Sequence, residues 1–290
     1  MFRGSIPALV TPFRGEAIDD EALRRHVDWQ IEQGSHALVP CGTTGEASTL
    51  TAEEHHRAVE ITVDQAAGRV PVIAGIGSNS TAGAIANMRA VADRGARGAL
   101  AVVPYYNKPN QDGIYAHFAA LAEACPLPIV VYNVPSRTVA DISVETLARV
   151  AALPTVVAIK DATGNLALVS AQRLACGWDF AQLSGNDDMA LGFNAMGGVG
   201  CISVTANVAP RLCADFQNAC LSGDWQAALA LQDKLYPLHA ALFSDASPGP
   251  TKYALSRLRD FPGDLRLPMT PPSVASRRAV DAALEHAGLR

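Results

Sequence analysis

At 290 residues the chain has room for one large domain with an appendage or for two modest ones, and 49% hydrophobic against 18% charged residues supplies a large core and disfavours disorder. The formal net charge of −5, from 23 basic and 28 acidic side chains with no basic run, argues against a nucleic-acid surface. No apolar stretch approaches the roughly 18 residues that a membrane span needs, and Met1-Phe2-Arg3-Gly4-Ser5-Ile6-Pro7 lacks the apolar core of a signal peptide, so a cytoplasmic protein is expected.

The chain alternates between short apolar runs and amphipathic stretches. Ile6–Pro12 is the first expected strand, followed by a helix capped by Asp19 or Asp20 with Leu23, Val27 and Ile31 on one face and Gly34 as its stop. Ala37–Cys41 is the second strand. Thr51 and Glu54 stand at capping-box spacing before Val59 and Val63, and Gly68 closes that helix. Val70–Gly75 leads to a helix opened by Ser80-Thr81, bearing Ile85 and Met88 and closed by Gly95. Ala99–Val103, Ile129–Tyr132, Val156–Lys160, Ala181–Ser184 and Gly198–Ser203 complete eight expected strands, whose starts lie between 17 and 33 residues apart, the spacing of βα units. Beyond about residue 205 the strand pattern stops. Residues 209–243 read as helix, Ser247-Pro248-Gly249-Pro250 as a break, and the remainder as more helix to Arg290.

These elements predict an α/β protein: a (β/α)8 TIM barrel over residues 1–222 with a C-terminal helical region, 223–290, packed on it. An open dinucleotide-binding sheet is disfavoured, because no G-x-G-x-x-G follows the first strand. The six cysteines, at 41, 125, 176, 201, 213 and 220, form no C-x-x-C pair and are read as buried thiols. No His, Asp and Glu cluster has metal-ligand spacing, so neither a metal nor a cofactor is expected.

An eight-fold barrel carries its chemistry at the C-terminal ends of its strands. Lys160 terminates an apolar run, and burial disfavours an ammonium ion, which favours the free amine that attacks a carbonyl. By itself such a lysine more often simply marks a strand's exit into solvent. Tyr132, at the neighbouring strand end, offers a phenol for proton transfer or simply a half-buried core ring. Thr43 and Thr44 place two hydroxyls on a glycine-flanked turn, and turn chemistry alone also accounts for them. Arg137, just past Pro135, offers a guanidinium for a carboxylate.

Gly42-Thr43-Thr44-Gly45-Glu46, Pro104-Tyr105-Tyr106-Asn107-Lys108-Pro109, Tyr132-Asn133-Val134-Pro135-Ser136-Arg137-Thr138, Lys160-Asp161-Ala162-Thr163-Gly164 and Ile202-Ser203-Val204-Thr205-Ala206-Asn207 together resemble the dihydrodipicolinate synthase family. The likeness runs colinearly from about Ile6 to the end, including Leu265-Arg266-Leu267-Pro268-Met269-Thr270. It implies a Schiff-base lyase that condenses pyruvate with L-aspartate 4-semialdehyde on the diaminopimelate route to lysine. In that family's terms Lys160 forms the imine and Tyr132 moves protons, with Thr43 linking it to a Tyr106 from a neighbouring subunit. Thr44 and the Ile202 backbone hold pyruvate, and Arg137 holds the semialdehyde carboxylate. The resemblance also implies a homotetramer, a dimer of dimers, with small-molecule substrates and no nucleic-acid or membrane partner. Other pyruvate-dependent aldolases of the wider superfamily, including the N-acetylneuraminate lyase type, share the lysine and tyrosine, but the paired threonines and Arg137 favour the synthase. A catalytically silent binding barrel is disfavoured by the complete set of Lys160, Tyr132, Thr43 and Tyr106.

Three positions depart from the family pattern. Members inhibited by lysine bind it at positions matching Ala47, Ser48, Ala52, His55, Asn79, Gly83 and Tyr105, and here Ala52 and Gly83 replace polar side chains, which predicts weak or absent feedback. Ser247 stands where many relatives have Asn.

Overall fold

Short β-branched and alanine-rich runs buried on both faces pair in parallel, and the amphipathic segments between them cover the sheet. The computed structural model describes residues 2–290. Its strands are β1 (Gly4–Pro7), the hairpin pair β2 (Phe13–Arg14) and β3 (Ala17–Ile18), then β4 (Ile73–Gly75), β5 (Gly98–Val102), β6 (Ile129–Asn133), β7 (Val156–Asp161), β8 (Ala181–Ser184) and β9 (Gly200–Ser203). Seven form one curled parallel sheet in the order β1-β9-β8-β7-β6-β5-β4, and β2 pairs with β3 antiparallel.

Helices α1 (Asp20–Glu32), α2 (Ala52–Ala66), α3 (Thr81–Asp93), α4 (Gln111–Ala124), α5 (Pro135–Thr138), α6 (Val144–Ala151), α7 (Ala167–Cys176) and α8 (Ala190–Ala195) are interleaved with the strands. α9 (Pro210–Ser222), α10 (Trp225–Ala241), α11 (Gly249–Leu258) and α12 (Val274–His286) follow the last strand. The expected caps form. Asp19, rather than Asp20, accepts the Ala22 N–H, Ser80 accepts that of Gly83, and Thr51 and Glu54 close a reciprocal capping box. Among the described residues no helix is long and apolar enough to cross a membrane.

Several expected boundaries move for local reasons. Ala37–Cys41 is not a regular strand; it makes two isolated bridges, Ala8 with Val39 and Leu38 with Val72. Pro40 has no N–H to donate, and Cys41 turns away at φ 56°. Its backbone nonetheless bonds to both sheet edges. Val39 N donates to Pro7 O at 2.9 Å, and Ile73 N to Leu38 O at 2.8 Å. The strand expected from Val70 begins at Ile73, beyond the donor-less Pro71, and the one expected over Ile6–Pro12 is β1 alone. The β2–β3 hairpin was not foreseen. The C-terminal stretch expected as further helix is interrupted by non-helical residues 259–273.

Three buried clusters organise the interior. Ile6, Val39, Ile73, Leu100, Val130, Ala158, Leu183 and Ile202 pack inside the curl of the sheet. Leu38, Val59, Met88, Ile114 and Leu147 fill the layer between strands and helices. The third joins Val10, Ala190 and Cys201 to Phe216, Leu235, Leu238, Leu255 and Leu284, so the last helices share a core with the sheet-bearing part.

Candidate active site

Parallel pairing brings successive strand ends to one face, and register decides which side chains meet there. Tyr132 on β6 and Lys160 on β7 are direct Cα partners, so both project into the mouth of the curled sheet. Lys160 is 6% and Tyr132 7% exposed, and the ammonium nitrogen lies 4.1 Å from the phenol ring centroid. They line a cavity of about 460 Å³ together with Thr43, Thr44 and Arg137.

Each neighbour has a local reason for its place. Thr43 and Thr44 ride a turn closed by Gly45 N to Gly42 O at 3.1 Å and Glu46 N to Thr43 O at 3.1 Å. The turn settles against β4 only because Gly75 lacks a side chain, since a Cβ there would stand 2.0 Å from the Cys41 carbonyl oxygen. Arg137 is exposed on the one-turn helix α5, begun by Pro135 at its first position. Gly185 leaves space for the lysine, because a Cβ there would come within 3.2 Å of Lys160 Cε.

Asp161 follows the lysine but is turned to structural use. Its Oδ1 accepts from Thr163 N at 2.8 Å and Thr163 Oγ1 at 2.7 Å, and its Oδ2 from Gln172 Nε2 at 2.7 Å. These bonds fix the end of β7 against α7.

Residues for which the sequence suggested no role complete the wall. Asp187 and His239 join the lining along with Asn186 and Asp188. Asp187 accepts from the Ser203 hydroxyl and from the backbone N–H groups of Val204 at 2.9 Å and Thr205 at 3.2 Å, tying the end of β8 to that of β9. His239 Nδ1 lies 2.8 Å from Thr205 Oγ1, and burial pushes its imidazole below the ordinary value, with Asp187 and Asp188 acting in the opposite direction. The strand end Ser184-Gly185-Asn186-Asp187-Asp188 was a visible signal for the aspartates. Nothing in the sequence pointed to His239, which reaches the site from α10.

Two of the expected residues contribute no side chain to the cavity lining of a single chain. Tyr106 is 85% exposed, at φ 72° in a loop where Asn107 N donates to Tyr105 O at 2.8 Å, and within one chain it does not line the site. Ile202 is 1% exposed, and its side chain belongs to the sheet's inner cluster rather than to the cavity wall. A second cavity of about 390 Å³ adjoins the first, sharing Thr43, Tyr132 and Arg137 with it and adding Ala47, Ser48, His55 and Tyr105. Among the described residues no group of three or more His, Cys, Asp or Glu side chains is placed to hold a metal ion.

The Dihydrodipicolinate synthetase family model matches residues 1–287. The chain belongs to that family. It is 68% identical over 290 residues to the 4-hydroxy-tetrahydrodipicolinate synthase of Rhizorhabdus wittichii and 65% identical over 290 residues to that of Zymomonas mobilis, with 100% of each chain covered in both cases. Among solved structures, the chloride-inhibited dihydrodipicolinate synthase from Acinetobacter baumannii complexed with pyruvate superposes with a TM-score of 0.97 at 42% identity, over 100% of both chains.

Proposed function

We propose that this protein is a Schiff-base lyase that condenses pyruvate with L-aspartate 4-semialdehyde to 4-hydroxy-tetrahydrodipicolinate, in diaminopimelate and lysine biosynthesis. The observation that carries the reading is the buried Lys160 nitrogen 4.1 Å from the Tyr132 ring at the floor of a polar cavity. Full-length relatives bearing the synthase name support it.

The Lys160 amine adds to the C2 carbonyl of pyruvate, and Tyr132 passes the proton that lets the carbinolamine lose water. The imine then withdraws electrons from the methyl carbon, which loses a proton to become an enamine. Its carbon attacks the aldehyde, and the substrate's own amine displaces Lys160 as the ring closes. Arg137, at the cavity rim, holds the semialdehyde carboxylate, while Thr44 and the Ile202 backbone hold pyruvate and Thr43 relays protons.

The remaining expectations belong to the same proposal. The bonds from β1 through residues 36–40 to β4 support an eight-fold (β/α)8 closure over residues 1–222, with 223–290 as a helical appendage. The exposure of Tyr106 suits a residue given to a neighbouring subunit's site, and the homotetramer and the cytoplasmic setting stand as part of the proposal on the family resemblance. The test is reductive trapping: borohydride added with pyruvate should leave a covalent adduct on Lys160 by peptide mass mapping, and Lys160→Ala should leave none. An untrapped parent enzyme removes the mechanism. Turnover with the semialdehyde but not with N-acetylneuraminate or 2-keto-3-deoxy acids should then separate the synthase from its aldolase relatives.

A further inference from the structure

Helix α11 opens on the Ser247-Pro248-Gly249-Pro250-Thr251-Lys252 segment, and its Lys252 is buried to 0% exposure. A lysine this deep needs compensation for its lost hydration. Its Nζ lies 2.5 Å from Glu46 Oε1, donates to the Asp264 carbonyl oxygen at 2.7 Å, and sits 4.2 Å from the Phe13 ring centroid. The other Glu46 carboxylate oxygen accepts the Arg266 backbone N–H at 3.1 Å. Arg266 in turn donates to the Thr49 carbonyl at 3.0 Å and to Glu54 at 2.7 Å, and its guanidinium lies 4.3 Å from the same Phe13 ring centroid.

Glu46 closes the turn that carries Thr43 and Thr44, and it does so at φ 55°, in the left-handed region. A side-chain-bearing residue stays there only when its surroundings over-determine it. One residue earlier, the Gly45 carbonyl accepts the Thr11 hydroxyl at 2.7 Å. The turn is therefore gripped by its own backbone bonds, by Thr11, and by a buried carboxylate clamped from the C-terminal helices. Stability alone does not call for the last grip, because apolar residues commonly replace a buried ion pair at little cost.

We propose that Lys252 is a positioning residue for the reaction, holding Glu46 so that the Thr43 and Thr44 hydroxyls stand correctly against Lys160 and Tyr132. This rests on the reading that those threonines serve pyruvate and proton transfer. The groups facing the ammonium are Glu46 from the turn, Asp264 and Arg266 from residues 259–273, and the Phe13 ring from the hairpin. Burial pushes Lys252 down to about 8, with Glu46 and Asp264 raising it and Arg266 lowering it further. Above that pH Glu46 loses its counter-charge and the turn its clamp.

The test compares Glu46→Gln, Lys252→Met and the double variant with the parent enzyme. The double variant leaves no unpaired buried charge. In any variant whose Tm stays within about 5 °C of the parent, the expected result is a raised pyruvate KM with a lowered kcat. Together these should cut kcat/KM on the order of 100-fold, the scale of a small misplacement of reacting groups. Lys160 should still be trapped by borohydride at saturating pyruvate, and the alkaline limb of pyruvate KM near pH 8 should vanish in the double variant. Parental kinetics and pH profile in a folded variant overturn the positioning role alone, as does unfolding of all three variants, which would make the pair a determinant of the fold. A parent enzyme that traps no pyruvate overturns both this role and the proposed function.

Discussion

A single register step separates Lys160 from its use. Because Tyr132 and Lys160 are Cα partners on adjacent parallel strands, a slip of β7 by one residue would turn Lys160 out of the sheet's interior and away from Tyr132. Tyr132→Phe keeps the ring face that the ammonium contacts and removes only the hydroxyl. The expected outcome is unchanged pyruvate affinity with imine formation slowed by about 100-fold to 10,000-fold, the usual range for a lost general acid–base group, measured as the rate of borohydride-trappable adduct. A parental rate would remove the phenol from proton transfer. The lysine, the tyrosine, the two threonines and Arg137 were all legible in the sequence, because each stands where an apolar run gives way to small polar residues. Asp161 shows the limit of that signal: it occupies an equally conspicuous strand end and is consumed by Thr163 and Gln172. His239 carried no signal, since its role as cavity wall depends on a helix that begins 65 residues after Lys160 (225 − 160).

Among the elements, helix starts were more legible than strand extents. Capping is a local contract between side chain and backbone within four residues, so Asp19, Thr51 with Glu54, and Ser80 could be read directly. Strand extent depends on which donors a neighbour can use, and Pro40 and Pro71 shortened pairings that the apolar pattern alone would have continued. Helix α3 carries Gly83, the position on which the expected weak or absent lysine feedback rests. Ser80 caps Gly83 N at 3.3 Å, and a Cβ at Gly83 would meet Ser78 Oγ at 3.1 Å, so this first turn is closed over a residue with no side chain to offer a ligand's amine. Lysine added to the assay is accordingly expected to inhibit the condensation weakly or not at all, and inhibition at low concentration would refute this reading of Gly83.

For the molecule as a whole, acid should weaken the fold through its buried histidines, most strongly His26 and His117. His26, between α1 and the segment after β9 with Nε2 3.2 Å from Asn207 Oδ1, is lowered to about 4, chiefly by burial. His117 on α4, with Nδ1 2.9 Å from Thr81 Oγ1, is likewise lowered to about 4 by burial. Each folded value lies below the ordinary 6.5, so between the two the unfolded chain binds protons that the folded chain refuses. Their contribution is therefore complete above about pH 6.5 and is lost as pH falls towards about 4, amounting to roughly 2 kcal/mol per histidine by pH 5. Denaturant titrations at pH 7 and pH 5 should show that loss, and equal stability at the two values would contradict the burial of these rings.

The sequence by itself determined the alternation of strands and helices, the caps, and the strand-end side chains around the lysine, because periodicity, capping and strand-end chemistry are short-range properties. Only the tertiary structure decided that residues 36–40 bridge two sheet edges without forming a strand, that His239 and the Asp187 carboxylate help wall the cavity, and that a lysine on α11 grips the threonine turn. Those outcomes join residues as many as 206 positions apart, from Glu46 to Lys252, and no local propensity encodes such a meeting. Packing of the last helices against the sheet creates it, and the cost of leaving a buried charge without a partner keeps it in place.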